Sequence, residues 1–134
     1  MAYRLIYGLD VSTDRNALVR SLLASIAFSV RLVLKTSGRR VGSLRANGNL
    51  SRSTAVLRFV SAATGLSVER QKDIDGTLRG LATASPRPRM IKLEEMEGTR
   101  REVEVIIEKR QELIDEGEYE RWKKLAGSLR NFRT

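Results

Sequence analysis

From Arg15 to Val68 the chain carries nine lysine or arginine side chains and no aspartate or glutamate. Whatever this segment folds into must present nine cations with no carboxylate of its own, and uncompensated like charges repel unless something negative meets them. Sign-pure positive surfaces of this kind commonly face polyanions. The asymmetry is regional: residues 1–89 hold fifteen basic and five acidic side chains, whereas residues 90–134 hold ten and eleven. The excess charge therefore belongs to the N-terminal part. The balanced remainder has the pattern of helices laced with ion pairs.

The two prolines, at 86 and 88, mark Thr83 to Arg89 as a linker. This predicts a basic unit over 1–82, the linker over 83–89 and a helical segment over 90–134. With no cysteine and no histidine in 134 residues, disulfides, thiolate sites and Ser-His or Cys-His catalysis are excluded. No uninterrupted apolar run approaches the roughly 20 residues that span a bilayer. The expectation is a cytoplasmic chain with no membrane partner.

Arg4 to Val11 reads as an opening strand. Ser12, Thr13 and Asp14 then offer caps for a helix with Leu18, Leu22 and Ile26 as its apolar stripe, ending near Ala27. Phe28, Val30, Leu32 and Leu34 alternate with Ser29, Arg31, Val33 and Lys35, a strand period. Arg40 to Ala46 reads as the return strand of a hairpin, with Asn47-Gly48 as the next turn. Asn49 to Thr64 reads two ways, since Thr54 to Val60 has strand propensity while Ala55, Val56, Phe59, Val60 and Ala63 form a helical face closed by Gly65, the reading favoured here; Ser67 to Ala82 should hold a short helix at its end. Beyond the linker, Thr99 and Glu102 have capping-box spacing ahead of a helix carrying Val103, Ile106, Ile107, Leu113 and Ile114. Asp115 to Gly117 breaks it, and a last helix presents Tyr119, Trp122, Leu125 and Leu129. The fold class expected is α+β: a small basic antiparallel-sheet domain with packed helices, followed by a C-terminal helical hairpin that buries its stripes by oligomerisation.

The glycines in GRRVGSLRANG match neither a phosphate loop nor a dinucleotide fingerprint. No catalytic or metal-ligating set stands out, so the chain reads as a non-enzyme with no cofactor. Cations beside aromatic rings do stand out. Arg31, Lys35, Arg39, Arg40, Arg45, Arg52 and Arg58 would track phosphates, while Tyr3, Tyr7, Phe28 and Phe59 supply flat faces for exposed bases. That combination points to a single-stranded nucleic acid.

On those residues the layout resembles the ThermoDBP group of archaeal single-stranded DNA-binding proteins, in which a small basic domain is joined to a helical oligomerisation segment. The resemblance implies a non-catalytic protein of low sequence specificity, thermophilic and associated with the nucleoid, assembled as a tetramer or dimer through 90–134. A second resemblance rests on Asp75-Gly76-Thr77-Leu78-Arg79, which is similar to a stretch of archaeal Pop5-type subunits of RNase P and implies an RNA-binding ribonucleoprotein subunit. A metal-dependent nuclease built on Asp10, Asp73 and Asp75 is the third reading.

Overall fold

The computed structural model describes residues 6–71, 103–108 and 113–131. Ile6 to Asp10 has no regular secondary structure, so the opening strand is not formed there. The first element is a long helix, α1 (Arg15–Ser37). Asp14 caps it, its carboxylate accepting from the Ala17 N–H at 2.7 Å. Gly38 ends it in the left-handed conformation at φ 64°, a position that favours glycine because it carries no Cβ. Between these caps the sequence contains no glycine or proline, and nothing local stops the helix at Ala27. The strand expected over 28–35 is therefore helix, and the basic hairpin does not exist. Phe28, Arg31 and Lys35 are spaced by three and four, so one run satisfies both periods. The helical reading wins because Ala24, Ala27 and Phe28 are buried together on one face.

Strand β1 (Ser43–Ala46) follows. Next come a single 3-10 turn (Asn49–Arg52), helix α2 (Thr54–Thr64) and strand β2 (Ser67–Gln71). The helix expected to end at Thr64 is confirmed, with Gly65 left-handed at φ 70°. β1 and β2 run parallel, Leu44 opposite Val68 and Arg45 opposite Glu69, so β1–α2–β2 is a crossover unit of the kind parallel strands require. β3 (Val103–Ile107) pairs antiparallel with β2, Val68 against Ile107, and completes a sheet of order β1-β2-β3. The antiparallel sheet is thus corrected to a mixed one within the α+β class. A segment read as helix proves to be strand: Val103, Val105 and Ile107 also alternate.

The last element, α3 (Glu116–Asn131), is the helix expected from Tyr119 and Trp122. It has no helical partner before it among the described residues, so the C-terminal hairpin is not formed. α3 instead turns inward. Tyr119 is wholly buried against Phe28, ring centroids 5.5 Å apart and edge to face, and Trp122 lies 5.7 Å from Phe28. The Trp122 Nε1–H donates to Ser25 Oγ at 3.2 Å. Phe28, Val56, Leu57, Val60, Ala63, Val68, Ile107 and Tyr119 form one core between the sheet and the helices, each large side chain contributing about 1.5–3 kcal/mol on burial. The short helix expected near 82, the 83–89 linker, the Thr99 cap, Tyr3, Asp73 and Asp75 lie outside the described residues.

α1 is long and apolar enough, by length and composition, to cross a bilayer, although Arg20, Arg31 and Lys35 interrupt its apolar run. Its inner face packs on α2 and carries Phe28 into the core, while only 17% of its most apolar stretch is buried.

Candidate functional site

The parallel pair creates one chemically distinctive edge. At the carboxyl end of β1 the chain must leave the sheet, turn and enter α2 within seven residues, Asn47 to Ser53. Gly48 makes this possible at φ 85°, ψ 176°, a backbone region essentially reserved for glycine. A Cβ there would meet no heavy atom within 4 Å, so the requirement is conformational and the space above the turn is open. The Gly48 carbonyl accepts both the Ser51 N–H at 3.1 Å and the Ser51 hydroxyl at 2.6 Å. Ser51 is buried. Behind the turn, Arg70 of β2 donates from Nη1 to the carbonyls of Ser51 and Arg52, at 3.2 and 3.0 Å. Ser53 caps α2 by accepting from the Val56 N–H at 3.4 Å. No acidic residue occupies the first turn of α2, so the positive end of that helix is not offset locally. In open α/β sheets ligands bind outside the carboxyl ends of the strands, and this is that edge.

The cations singled out from sequence do not converge on one channel. Arg31 and Lys35 lie on the inner face of α1, above the Tyr119 ring at 4.1 and 4.9 Å. Arg31 also donates to both oxygens of Glu116, at 2.5 and 2.7 Å. That contact holds the Glu116 carboxyl below its ordinary range, the Arg31 hydrogen bond being the main cause. Nearby, Arg20 makes a two-pronged pair with Glu118 at 3.0 and 3.1 Å and donates to the Leu113 carbonyl at 3.2 Å. Arg45 on β1 faces Glu69 at 3.5 Å. The acid-free segment is thus neutralised in part by the protein's own carboxylates, most of them from the balanced tail.

Arg31, Lys35 and Arg39 do share an open cleft of about 630 Å³, but Asp115 and Glu116 line it too, and it lies at the amino-terminal edge of the strands. Arg40, Arg52 and Arg58 are exposed at separate places, on the loop before β1, at the end of the 3-10 turn and on α2. Among the rings, Phe28 is core and Phe59 packs against it half-buried. Tyr7 is exposed on the N-terminal segment. Asp10 accepts from the Ser12 N–H and hydroxyl at 2.8 and 2.6 Å and from the Thr13 hydroxyl at 3.2 Å. Those hydrogen bonds, Ser12's first, lower its pKa and account for it as a turn residue. The Asn47-Gly48 turn is legible in the sequence, but as the turn after the return strand of a hairpin. The signal missed was the order strand, turn, helix, strand. Glu116 and Glu118 were missed because they lie 85 and 98 residues from their partners.

Comparison with known proteins defines the class. Residues 2–85 match the C-terminal domain of the FGGY family of carbohydrate kinases. The glycerol kinase of Trichodesmium erythraeum is 32% identical over 84 residues, spanning 60% of this chain and 17% of that protein. That of Mycoplasmoides gallisepticum is 28% identical over 79 residues, 56% and 16% of the two chains. Among solved structures, a xyloylose kinase from Brucella ovis superposes with a TM-score of 0.65 at 24% identity, over 94% of this chain and 28% of that one. Plasmodium falciparum glycerol kinase with ADP gives 0.65 at 20%, over 91% and 26%.

The chain belongs to the FGGY family of carbohydrate kinases, in the C-terminal domain of that family. It spans about a sixth of the length of the curated relatives it matches. This overturns the resemblance to single-stranded DNA-binding proteins. The DNA- and RNA-binding functions, the nucleoid location and the non-enzyme reading fall with it, since the relatives are enzymes. The helical hairpin through which 90–134 was expected to assemble is not formed among the described residues, where α3 packs on α1 of its own chain.

Proposed function

We propose that this domain holds the nucleotide in an ATP-dependent phosphorylation of a small polyol or sugar, with the Asn47–Ser53 turn as the contact surface. The observation that carries it is Gly48: a glycine-only backbone conformation at the carboxyl edge of a parallel pair, opening directly into the N-terminus of α2, inside the segment that matches the kinase domain. Backbone N–H groups at such a helix start, with no local carboxylate, favour phosphate oxygens. Of the cations singled out from sequence, Arg52 is the one at this turn, exposed at its end. Transfer of the phosphoryl group to the acceptor belongs to an assembly larger than this chain, which is a sixth of its relatives' length. The family match ends at residue 85, inside the expected 83–89 linker. The likeness in fold to the solved kinases covers 94% of the chain and so runs past that match, and the last helix braces α1.

Calorimetric titration of the purified chain with ADP and ATP tests the proposal. Binding is expected between about 1 μM and 1 mM, the range typical of enzyme substrates. Gly48→Val should weaken it about 5- to 100-fold, since forcing a side chain into this backbone region costs of order 1–3 kcal/mol. Equal affinity in the two proteins, or no binding by the wild type, would overturn the assignment.

A further inference from the structure

Arg70 reaches the Asn47–Ser53 turn from beneath. Strand alternation puts its side chain on the same face as Val68, the face that joins the core with α2. In the parallel register it stands level with Ala46, the last residue of β1, where the chain leaves the sheet. From there Nη1 donates to the carbonyls of Ser51 and Arg52, at 3.2 and 3.0 Å, and Nε is screened from solvent. A guanidinium has donors and no acceptor, so the groups it holds on a backbone are carbonyls. It is also charged at every working pH. Each carbonyl it holds fixes the direction of the N–H on the same peptide. The described residues contain no cis peptide, and in a planar trans peptide the C=O and the N–H point in opposite directions. With the Arg52 carbonyl drawn toward Arg70, the Ser53 N–H meets the Leu50 carbonyl at 3.2 Å and closes the 3-10 turn. With the Ser51 carbonyl drawn the same way, the Arg52 N–H points away from the guanidinium and from β2.

We propose that Arg70 is a positioning residue for the nucleotide: it sets the Ser51–Arg52 peptide so that the Arg52 N–H faces the phosphate groups, and it places a fixed positive charge behind them. This role rests on the nucleotide reading of the turn and deepens it. Arg70 acts through the backbone and does not itself touch the ligand. A donor that is already aimed when the anion arrives costs no ordering at that moment, so preorganisation appears as affinity. Gly48 and Arg70 divide the work. The glycine lets the chain adopt the turn, and the guanidinium stops the peptide that follows from rotating away. The sequence hides this pairing, because 18 and 19 residues separate Arg70 from the carbonyls it holds.

The test compares Arg70→Met and Arg70→Lys with the wild type in the full chain. Both replacements keep a long unbranched stem, and lysine also keeps the charge and a donor. Calorimetric titration with ADP should show Arg70→Met weakened about 10- to 100-fold, the range for losing hydrogen bonds made by a charged group. Arg70→Lys should recover most of that loss. Ile107→Val serves as the control for stability alone, since it thins the same core away from the turn, and it should keep ADP affinity within about twofold. Amide hydrogen exchange, read without nucleotide, should be about fivefold or more faster at Ser51 and Ser53 in Arg70→Met, while Val60 to Thr64 of α2 keep their protection. Three results overturn the role: equal ADP affinity in Arg70→Met and wild type, unchanged exchange in the turn, or a loss in Ile107→Val that matches the loss in Arg70→Met. In each of these the wild type still binds ADP and the nucleotide reading survives. A wild type that binds no ADP removes that reading, and the role of Arg70 with it.

Discussion

Helices α1 and α2 pack against each other, yet they divide their side chains in opposite ways. α2 keeps Val56, Leu57, Val60 and Ala63 inside and Arg58 outside, the pattern of an amphipathic surface helix. α1 buries Ala24, Ala27 and Phe28 on the same side as three cations and leaves Val19, Leu22 and Val33 in water. A helix that is apolar on both sides is suited to lie between two layers. One layer is the sheet with α2 and α3; the opposite side of α1 is exposed among the described residues. The lesson is that cations on an apolar helix need not mark a ligand surface. Arg31 covers the Tyr119 ring and meets Glu116 from the tail, and its charge is used inside the protein.

The comparison breaks first at Phe28, the one large ring that α1 sends to the core. Phe28→Ala should cost about 3–5 kcal/mol, read as a lowered denaturation midpoint and a changed Trp122 emission. A loss under about 1 kcal/mol would mean that α1 is not anchored as described. Next, Arg31→Met and Arg58→Met set an inner cation against an outer one. The first should lose about 0.5–1 kcal/mol from the contact with the Tyr119 ring, and the second should change stability by less than about 0.5 kcal/mol. Equal effects in thermal melts would remove the distinction between the faces.

The smallest effect concerns acid. The Glu116 carboxyl is held below its ordinary 4.5 by Arg31, so it binds its proton more readily in the unfolded chain than in the folded one. Its contribution is present above 4.5 and is lost as pH falls through the lowered folded value. A pH series of melts should show this decline in the wild type and a flatter one in Glu116→Gln. Identical slopes would show that the pair does not brace α3.

Much of the local structure was legible. The cap at Asp14, the helix closing on Gly65, the Asn47-Gly48 turn and the final helix around Tyr119 and Trp122 follow from short-range chemistry, and the structure contains them. The candidate site was legible only in pieces. Gly48 was visible, but its setting between parallel strands depends on β2, where the sequence predicted no strand. At 28–35 and 103–107 the apolar residues fit both a period of two and a helical face. Which period applies is decided by what lies opposite, Tyr119 for Phe28 and Val68 for Ile107.

By itself the sequence determined the charge division, the absence of histidine and cysteine chemistry, the helix caps and the glycine turn, because each depends on residue types within a few positions of one another. Only the tertiary structure decided that α1 continues through residues 28–37, that β1 and β2 run parallel, and that Arg20 and Arg31 are answered by Glu118 and Glu116. Those outcomes depend on contacts between residues tens of positions apart, where burial of Phe28 and Tyr119 outweighs the local ambiguity of an apolar run.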